Sequence, residues 1–288
     1  MTGEAGNPVK SFAGKVAAIT GAGSGMGRGL ALALAGRGCH VAISDVQADH
    51  LAETARQVEA LGGVNCTSHV VDVADRFAVE AFAADVAKAH GKVNMIFNNA
   101  GVTIAATVED VAYNDFEWLM NINFWGVVYG TKAFLPYLRE AGEGHVVNTS
   151  SLFGLMSSPT QSAYHSAKFA VKGFTDTLRL ELAATDIGVS CVMPGGVKTN
   201  IVRSARFRIS DNQAPTHEEV AQQFESIAGL TSDEAAEWIL KGVQKNKARI
   251  LVGRDAQVIA FLLRLFPVSY LRFIAWGQRR AERKRAAA

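Results

Sequence analysis

The stretch that decides the fold is Lys15-Val16-Ala17-Ala18-Ile19-Thr20-Gly21-Ala22-Gly23-Ser24-Gly25-Met26-Gly27-Arg28-Gly29. An apolar run of strand length meets glycines at alternate positions, and the apolar repeat of a helix begins at Leu30. A strand, a tight glycine turn and a helix start form the βα unit that binds phosphate groups. Glycine lets the backbone approach a pyrophosphate closely, and the helix start attracts the anion. The spacing, Thr20-Gly21-x-x-x-Gly25-x-Gly27, is not G-x-G-x-x-G, and an ordinary tight βα loop is the alternative interpretation.

Strands and helices alternate outward from this stretch. The strands are apolar on both faces, which indicates a parallel sheet covered by helices on both sides. The predicted fold is therefore α/β, a doubly wound parallel seven-stranded sheet (Rossmann-like) in a single domain. Strands are predicted at about 15–20, 40–44, 67–71, 93–97, 146–149, 189–193 and 250–252, and helices at about 30–36, 48–61, 76–90, 113–139, 161–185 and 231–245.

Composition agrees with a packed domain. The chain has 288 residues, of which 49% are hydrophobic and 19% charged, enough to bury a sizeable core. The N-terminal residues do not show the pattern of a signal peptide, so a cytoplasmic location is expected. No metal site is predicted, because three isolated cysteines lack ligand spacing and resemble small apolar core residues in a reducing compartment: Cys39, Cys66 and Cys191.

The predicted catalytic domain spans residues 14–253, after a flexible leader at 1–13. A polar, irregular region reaching to about residue 230 is predicted to be a mobile flap. Residues 254–288 form an apolar helical extension with a basic tail, in which Pro267 separates two apolar runs. Arg264 and Arg272 argue against a membrane span. The runs are predicted either to cap the pocket or contact a neighbouring subunit, or to lie on an anionic membrane with Trp276 at the headgroups.

Charge is uneven along the chain. The net charge is +2, but Arg279-Arg280-Ala281-Glu282-Arg283-Lys284-Arg285 carries +4, which leaves −2 for the remainder. The main body therefore shows no sign of nucleic-acid binding.

Asp45 stands at the end of the second predicted strand, twenty positions after Gly25. A carboxylate there can accept hydrogen bonds from the ribose diol of an adenine dinucleotide and would repel a 2′-phosphate. No Arg or Lys stands at the neighbouring positions Ser24, Val46 or Gln47. The sequence predicts NAD rather than NADP as cofactor; an ordinary turn aspartate is the alternative.

Tyr164 and Lys168 are four residues apart on a predicted helix, so their side chains lie on one face. A phenol works as a proton donor or acceptor when its pKa falls from about 10 toward the working pH, a change of roughly 4 kcal/mol for three units. One ammonium about 4 Å away at an effective dielectric near 20 supplies that much. Ser151 follows a predicted strand thirteen residues before Tyr164, where a hydroxyl can hold a carbonyl or alcohol oxygen.

These motifs together resemble the short-chain dehydrogenase/reductase family. They occur in the family's order over residues 15–200: Thr20 to Gly27, Asn98-Asn99-Ala100-Gly101, Asn123 in Asn-Phe-Trp-Gly, Ser151, Tyr164-x-x-x-Lys168 and Pro194-Gly195. The resemblance implies that Tyr164 is the general acid/base, that Lys168 lowers its pKa and binds the nicotinamide ribose, and that Ser151 polarises the substrate oxygen. Asn123 would hold a water that links Lys168 to solvent.

The resemblance also implies a set of cofactor-binding residues, with Asp72 meeting the adenine edge and the segment after Pro194 fixing the nicotinamide carboxamide. The set is Gly21, Ser24, Gly25, Met26, Gly27, Asp45, Asp72, Val73, Asn99, Ala100, Gly101, Tyr164, Lys168, Pro194, Gly195, Val197 and Thr199. A homotetramer or homodimer built on the helices at 113–139 and 161–185 is expected on the same ground.

Substrate choice is assigned to residues 152–160, 196–212 and the C-terminus. Apolar side chains there indicate a hydrophobic alcohol or ketone, such as a sterol, retinoid or lipid-derived compound: Phe153, Leu155, Met156, Ile201 and Phe207. The leading interpretation is an NAD-dependent oxidoreductase. The alternatives are a membrane-associated lipid, retinoid or steroid dehydrogenase and a non-catalytic NAD-sensing regulator.

Overall fold

A seven-stranded parallel sheet in the order β3-β2-β1-β4-β6-β7-β9 forms the centre of the protein. The computed structural model describes residues 9–208 and 216–285. The strands are β1 (Val16–Thr20), β2 (His40–Asp45), β3 (Cys66–Val70), β4 (Met95–Asn98), β5 (Ile104–Ala106), β6 (Gly144–Thr149), β7 (Ile187–Pro194), β8 (Arg206–Arg208) and β9 (Arg249–Val252). The order reverses between β1 and β4, and ligands bind at such switch points of Rossmann-like folds.

Helices cover both faces of the sheet and confirm the doubly wound single domain. They are α1 (Gly25–Ala35), α2 (Ala48–Leu61), α3 (Arg76–His90), α4 (Tyr113–Met120), α5 (Gly126–Glu140), α6 (Ser162–Glu181), α7 (His217–Ile227), α8 (Ser232–Gln244), α9 (Arg254–Leu265) and α10 (Tyr270–Arg285). One core cluster joins the sheet to α1, α2 and α8, and a second joins it to α3, α5 and α6. This double cover explains why β1, β4, β6 and β7 are buried along their whole length.

The helix predicted at 113–139 is interrupted. A π-helical turn, Asn121–Trp125, separates α4 from α5, which begins at Gly126. A Cβ on Gly126 would lie 2.9 Å from Cγ2 of Val73, so the chain is packed too closely there for a larger residue. Apolar periodicity does not reveal an inserted residue, but π-turns of this kind often occur at functional sites.

Three other features of the structure differ from what the sequence predicted. The helix predicted at 161–185 ends at Glu181. The two-stranded parallel sheet of β5 and β8 was not predicted, because three-residue strands are too short to show a period. β8 and α7 lie in the predicted mobile flap, whose residues 209–215 are outside the described part.

The leader differs as well. Residues 1–8 are outside the described residues, but Val9 and Phe12 are buried in the cluster that contains α1 and α8. Nε2 of Gln244 also donates to the Lys10 carbonyl at 3.1 Å. Residues 9–13 are therefore held against the domain, contrary to the predicted flexible leader at 1–13, because two apolar side chains find a place in the core.

The C-terminal extension is a bent pair of helices, α9 and α10. Across the described residues no single helix is long and apolar enough to cross a membrane, although Arg254–Leu265 and Tyr270–Gly277 pass that test as a pair bent by 117°. Of α9, Ala256 is buried, and several of its larger apolar side chains are exposed.

Candidate active site

The glycine-rich turn connects β1 to α1 and faces the segment that follows β7. Gly25 has a φ of +53°, and a Cβ there would lie 3.3 Å from Cγ2 of Thr199. Ser24 precedes α1 with extended backbone and makes no capping hydrogen bond, and the first turn of α1 has no acidic residue. The open helix start is therefore free to receive an anion.

Thr20 fixes this turn to the loop after β4. Its hydroxyl accepts hydrogen bonds from the backbone N–H groups of Asn99 at 3.0 Å and Ala100 at 3.1 Å. Gly21 has a φ of +64°, and a Cβ there would lie 2.7 Å from the Ala100 Cα. The sequence motif contained Thr20, but the predicted site residues did not include it, since its role depends on a strand 77 residues away.

Asp45 lies beside the glycine-rich turn, as predicted from its position at the carboxyl end of β2. Its Oδ2 accepts from the Gly23 N–H and its Oδ1 from the Gln47 N–H, both at 2.9 Å. Each oxygen keeps a lone pair for a further donor. Arg28 is a cation near Asp45 that the sequence did not indicate, and its guanidinium donates to the Gly23 carbonyl and to Oγ1 of Thr54.

The other residues expected near the adenine are Asp72 and Val73. The Asp72 side chain is exposed at the end of β3 and accepts a hydrogen bond from the Ala74 N–H at 2.9 Å. The Val73 side chain is buried against Gly126. Met26 is half-buried against the core, and Gly27 packs on the Gly21 carbonyl.

The segment after β7 is held by the C-terminal extension. Oδ2 of Asp255, in the first turn of α9, accepts from the Gly196 N–H at 2.7 Å. A Cβ on Gly195 would lie 2.1 Å from the same oxygen. Sequence reasoning missed Asp255 because the predicted domain ended at residue 253. Val197 is buried and forms a bridge with Leu230.

Ser151, Tyr164 and Lys168 come together at the carboxyl end of β6. Ser151 and Tyr164 are joined by a side-chain hydrogen bond. The Lys168 Nζ lies 5.5 Å from the centroid of the Tyr164 ring and donates to the Thr149 carbonyl at 3.0 Å. All three groups therefore belong to one site, which the i, i+4 spacing and the strand end predicted.

Asn123 lies in the π-helical turn, next to Lys168 and fully buried. Its amide makes two hydrogen bonds with the backbone of Val102, accepting from the N–H and donating to the carbonyl at 2.8 Å each. A Cβ on Gly101 would lie 3.2 Å from the Asn123 Oδ1 and 3.5 Å from the Lys168 Nζ. Asn123 thus holds the backbone after Gly101 beside Lys168, and its amide keeps capacity for a water.

A family model described as short chain dehydrogenase matches residues 15–209. The chain belongs to the short-chain dehydrogenase/reductase family. A Mycobacterium tuberculosis relative named SadH is 46% identical over 272 residues, covering 93% of this chain and 97% of the relative. This chain is an oxidoreductase of the same family.

Two solved structures are similar to this chain over most of its length. A short chain dehydrogenase/reductase from Burkholderia phymatum in complex with NAD has a TM-score of 0.79 and 30% identity, covering 91% of this chain and 96% of that one. A carveol dehydrogenase from Mycobacterium avium in complex with NAD has a TM-score of 0.71 and 26% identity, covering 80% and 91%.

Burial controls the electrostatics of this short-chain dehydrogenase/reductase site. It raises the pKa of Tyr164 to about 12, although the hydrogen bond with Ser151 acts to lower that pKa. It lowers the pKa of Lys168 to about 8. The pKa of Tyr164 is therefore not lowered in the protein without cofactor, contrary to the prediction that the Lys168 ammonium supplies most of that lowering, because a buried phenolate loses its hydration.

The site fits a dinucleotide cofactor. Within the described part of the chain, Oδ1 of Asn99 is buried beside the glycine-rich turn and has no hydrogen-bond partner in the protein. The uncapped start of α1 and the two acceptor oxygens of Asp45 face the same region. An open cavity of about 550 Å³ adjoins the turn at Thr199 and is lined by Lys198, Thr199, Asn200 and Ser226.

The residues predicted to line the substrate site, here called the substrate wall, begin directly after Ser151 with residues 152–160. The Phe153 ring meets the Tyr164 ring edge to face at 6.2 Å, and it lies 4.7 Å from the His165 ring. His165 Nε2 accepts from the Ser158 N–H at 2.9 Å, which leaves Nδ1 to donate to the Phe153 carbonyl at 3.1 Å. Sequence reasoning missed His165, which fixes the shape of this wall.

The remaining residues predicted to line the substrate site lie in three different segments. Leu155 and Met156 are half-buried in the loop after Ser151, and Ile201 lies in the segment after β7. Phe207 stacks on His217 at 5.6 Å within β8. The adjacent Arg206 pairs with Asp115 at 2.6 Å and lies over the Trp118 ring, so β8 is fastened to α4.

Proposed function

We propose that this oxidoreductase is NAD-dependent and transfers a hydride between the nicotinamide and a hydrophobic secondary alcohol or ketone, with Tyr164 as general acid/base. The observation that supports this most directly is the meeting of Ser151, Tyr164 and Lys168 at the carboxyl end of β6. That edge of the sheet also carries the glycine-rich turn, where Rossmann-like folds bind dinucleotides.

Each protein group has one task in this proposal. The Ser151 hydroxyl orients the substrate oxygen, and the Tyr164 hydroxyl gives a proton to that oxygen in reduction or takes one in oxidation. The Lys168 ammonium is held over the Tyr164 ring by the Thr149 carbonyl, and the Asn123 amide would hold a water beside it. The bound nicotinamide supplies or accepts the hydride, and its oxidised form adds the positive charge that lowers the Tyr164 pKa.

The preference for NAD over NADP rests on Asp45. Its carboxylate stands where a 2′-phosphate would have to fit, and two charges of one sign repel. Arg28 is the nearby cation that would offset this repulsion. Its guanidinium donates to the Gly23 carbonyl and to Thr54, so it is already bound within the turn.

An apolar substrate is supported by the wall around the catalytic phenol. Phe153 packs on Tyr164, and Leu155 and Met156 follow in the same half-buried loop. The likeness to a carveol dehydrogenase in complex with NAD favours an alcohol as substrate and NAD as cofactor.

The deciding experiment is an absorbance screen of apolar secondary alcohols with NAD and of ketones with NADH. We expect turnover by the natural protein and a loss of about 10²–10⁴-fold in Tyr164→Phe, with NADH binding retained by fluorescence titration. Tyr113→Phe is the matched control, since Tyr113 is 88% exposed on α4. Turnover by Tyr164→Phe within about tenfold of the natural protein would remove the proposed role.

Cofactor choice is tested by Asp45→Ser. We expect kcat/KM for NAD to fall about tenfold and kcat/KM for NADP to rise, because the hydrogen bonds to the ribose and the repulsion of the phosphate are both lost. Asp49→Ser is the control, since Asp49 is an exposed carboxylate in the first turn of α2. A natural protein that already prefers NADP would overturn the assignment.

We also propose a homodimer or homotetramer built on α4–α5 and α6. Two large apolar side chains are exposed there: Phe169 on α6, and Trp125 in the π-helical turn between α4 and α5, which stacks on Tyr129 at 5.8 Å. The predicted outcome is a native mass in light scattering at a multiple of 30.7 kDa, reduced by Phe169→Glu. A natural protein that elutes as a monomer would contradict this.

A further inference from the structure

The hairpin formed by α9 and α10 exposes many large apolar side chains to solvent. Phe261 is 62% exposed, Phe273 69% and Trp276 61%. On α9 the exposed side chains follow the i, i+3, i+4, i+7 spacing of one helix face. The exposed apolar set is Val258, Phe261, Leu262, Leu265, Phe266, Val268, Leu271, Phe273 and Trp276. Nine exposed apolar side chains on one bent pair of helices indicate an interaction site.

The hairpin is also strongly basic, unlike the rest of the chain. Residues 254–288 contain eight basic and two acidic residues, a net charge of +6, so residues 1–253 carry a net charge of −4. Arg280 lies with its guanidinium carbon 5.4 Å from the Trp276 ring centroid, which places a cation and an amphipathic ring together at the end of the apolar surface. Trp and basic residues in this arrangement are typical of a helix at a lipid headgroup layer.

The hairpin is fixed to the active site at both of its helices. At the start of α9, Asp255 accepts from the Gly196 N–H at 2.7 Å. At the start of α10, the Tyr270 hydroxyl accepts from the Ser157 N–H at 3.1 Å. Ser157 lies in the loop that carries Phe153, so the hairpin borders the wall of the predicted substrate site.

Charge decides between the two candidate occupants of this surface. A twofold interface between copies places the same patch against itself, so two hairpins of +6 would meet, and like charges across an interface are unfavourable. An anionic lipid surface complements both the charge and the apolar side chains. We propose that the hairpin α9–α10 docks the protein on an anionic membrane and thereby places the mouth of the active site at the lipid surface.

The docking stands independently of the chemistry, whereas its consequence for the substrate rests on the proposed function. A substrate site bordered by a membrane-bound hairpin receives its alcohol or ketone from the lipid phase. A lipid-dissolved substrate is therefore turned over at a lower total concentration when it is presented in the vesicles to which the protein binds.

The test is flotation of the full chain with phosphatidylcholine vesicles, with and without phosphatidylglycerol, in the absence of cofactor and substrate. We expect the protein to float with the anionic vesicles at low salt and to be released as salt rises. The double variant Phe261→Gln, Phe273→Gln should lose at least about tenfold in the ratio of bound to free protein. Arg279→Gln, Arg280→Gln should weaken binding to anionic vesicles in particular.

The matched control is Phe77→Gln, Tyr113→Gln, which removes two exposed aromatic side chains from α3 and α4. It should float like the natural protein. Turnover of a water-miscible alcohol by every variant shows that each is folded, and it separates failure of the docking from failure of the proposed activity.

Three results would overturn the proposal. One is the absence of flotation at low salt, and another is flotation that the hairpin variants leave unchanged. The third is a drop in native mass in Phe261→Gln, Phe273→Gln without any effect on vesicles, which would show that a second copy of the chain covers the hairpin.

Discussion

Helix α6 and the hairpin α9–α10 are both rich in apolar residues, but α6 has a buried face whereas the hairpin leaves most of its large apolar side chains exposed. α6 packs one face on the sheet and buries polar groups as well, among them Lys168 and Thr175. The hairpin leaves Phe261, Phe273 and Trp276 exposed. The difference shows that an apolar pattern leads to burial only where another part of the chain provides a matching surface.

The same comparison applies to charge. On α6 a lysine is 2% exposed and is held by one backbone carbonyl. The basic residues of the hairpin are exposed where they are described. Burial lowers the pKa of an amine and so lets it take part in proton transfer near neutral pH. An exposed guanidinium instead acts through the electrostatic field that it presents to a partner.

The largest expected effect tests the buried lysine. Lys168→Met should lower kcat/KM by about 10²–10⁴-fold, because the ammonium below Tyr164 is lost. Lys172→Met, one turn further along α6, removes a partly exposed amine paired with Asp176 at 2.9 Å and should keep activity within about threefold. Equal losses in the two variants, measured by NAD-coupled absorbance, would show that position 168 has no special role.

A second expected effect is on the free energy of unfolding as a function of pH. The folded chain releases the Lys168 proton near pH 8, whereas the unfolded chain keeps it to about 10.5. The unfolded state therefore binds more protons in this range, and the contribution of Lys168 to stability rises with pH by about 3 kcal/mol at most.

The difference between the natural protein and Lys168→Met isolates this contribution. Burial raises the pKa of Cys39 to about 12, which lowers stability above pH 9 in both proteins alike. Urea unfolding at pH 8 and pH 10 should show that the free energy of unfolding of the natural protein, relative to that of Lys168→Met, is larger at pH 10. A constant gap would mean that Lys168 is not perturbed by burial.

The smallest expected effect compares a buried hydroxyl with an exposed one. Oγ1 of Thr175 accepts from Nδ2 of Asn148 at 3.0 Å, in a buried network that also includes Asn98 and Thr131. Thr175→Val keeps the shape and leaves the amide without this partner, at a cost of about 1–3 kcal/mol in urea unfolding. Ser269→Ala in the hairpin should change stability by less than about 0.5 kcal/mol, and an equal loss there would contradict the contrast.

The parts of the site that could be predicted from the sequence are local. Asp45 is the last residue of the strand β2. Tyr164 and Lys168 are one helical turn apart, so their mutual position follows from the period of the helix. Thr20, Arg28, His165 and Asp255 were missed because their contacts join residues far apart in the chain. The interruption of the helix at Asn123 was missed because one extra residue in a turn leaves no apolar signature.

The sequence by itself determined the order of strands and helices, the glycine-rich turn and the spacing of Ser151, Tyr164 and Lys168. These depend on backbone geometry and on residues close to one another in the chain. Only the tertiary structure decided that burial raises the Tyr164 pKa and lowers that of Lys168, that Asp255 holds Gly196, and that the hairpin remains exposed. Dielectric surroundings and exposed surface are properties of what packs around a residue, and that is set by the whole folded chain.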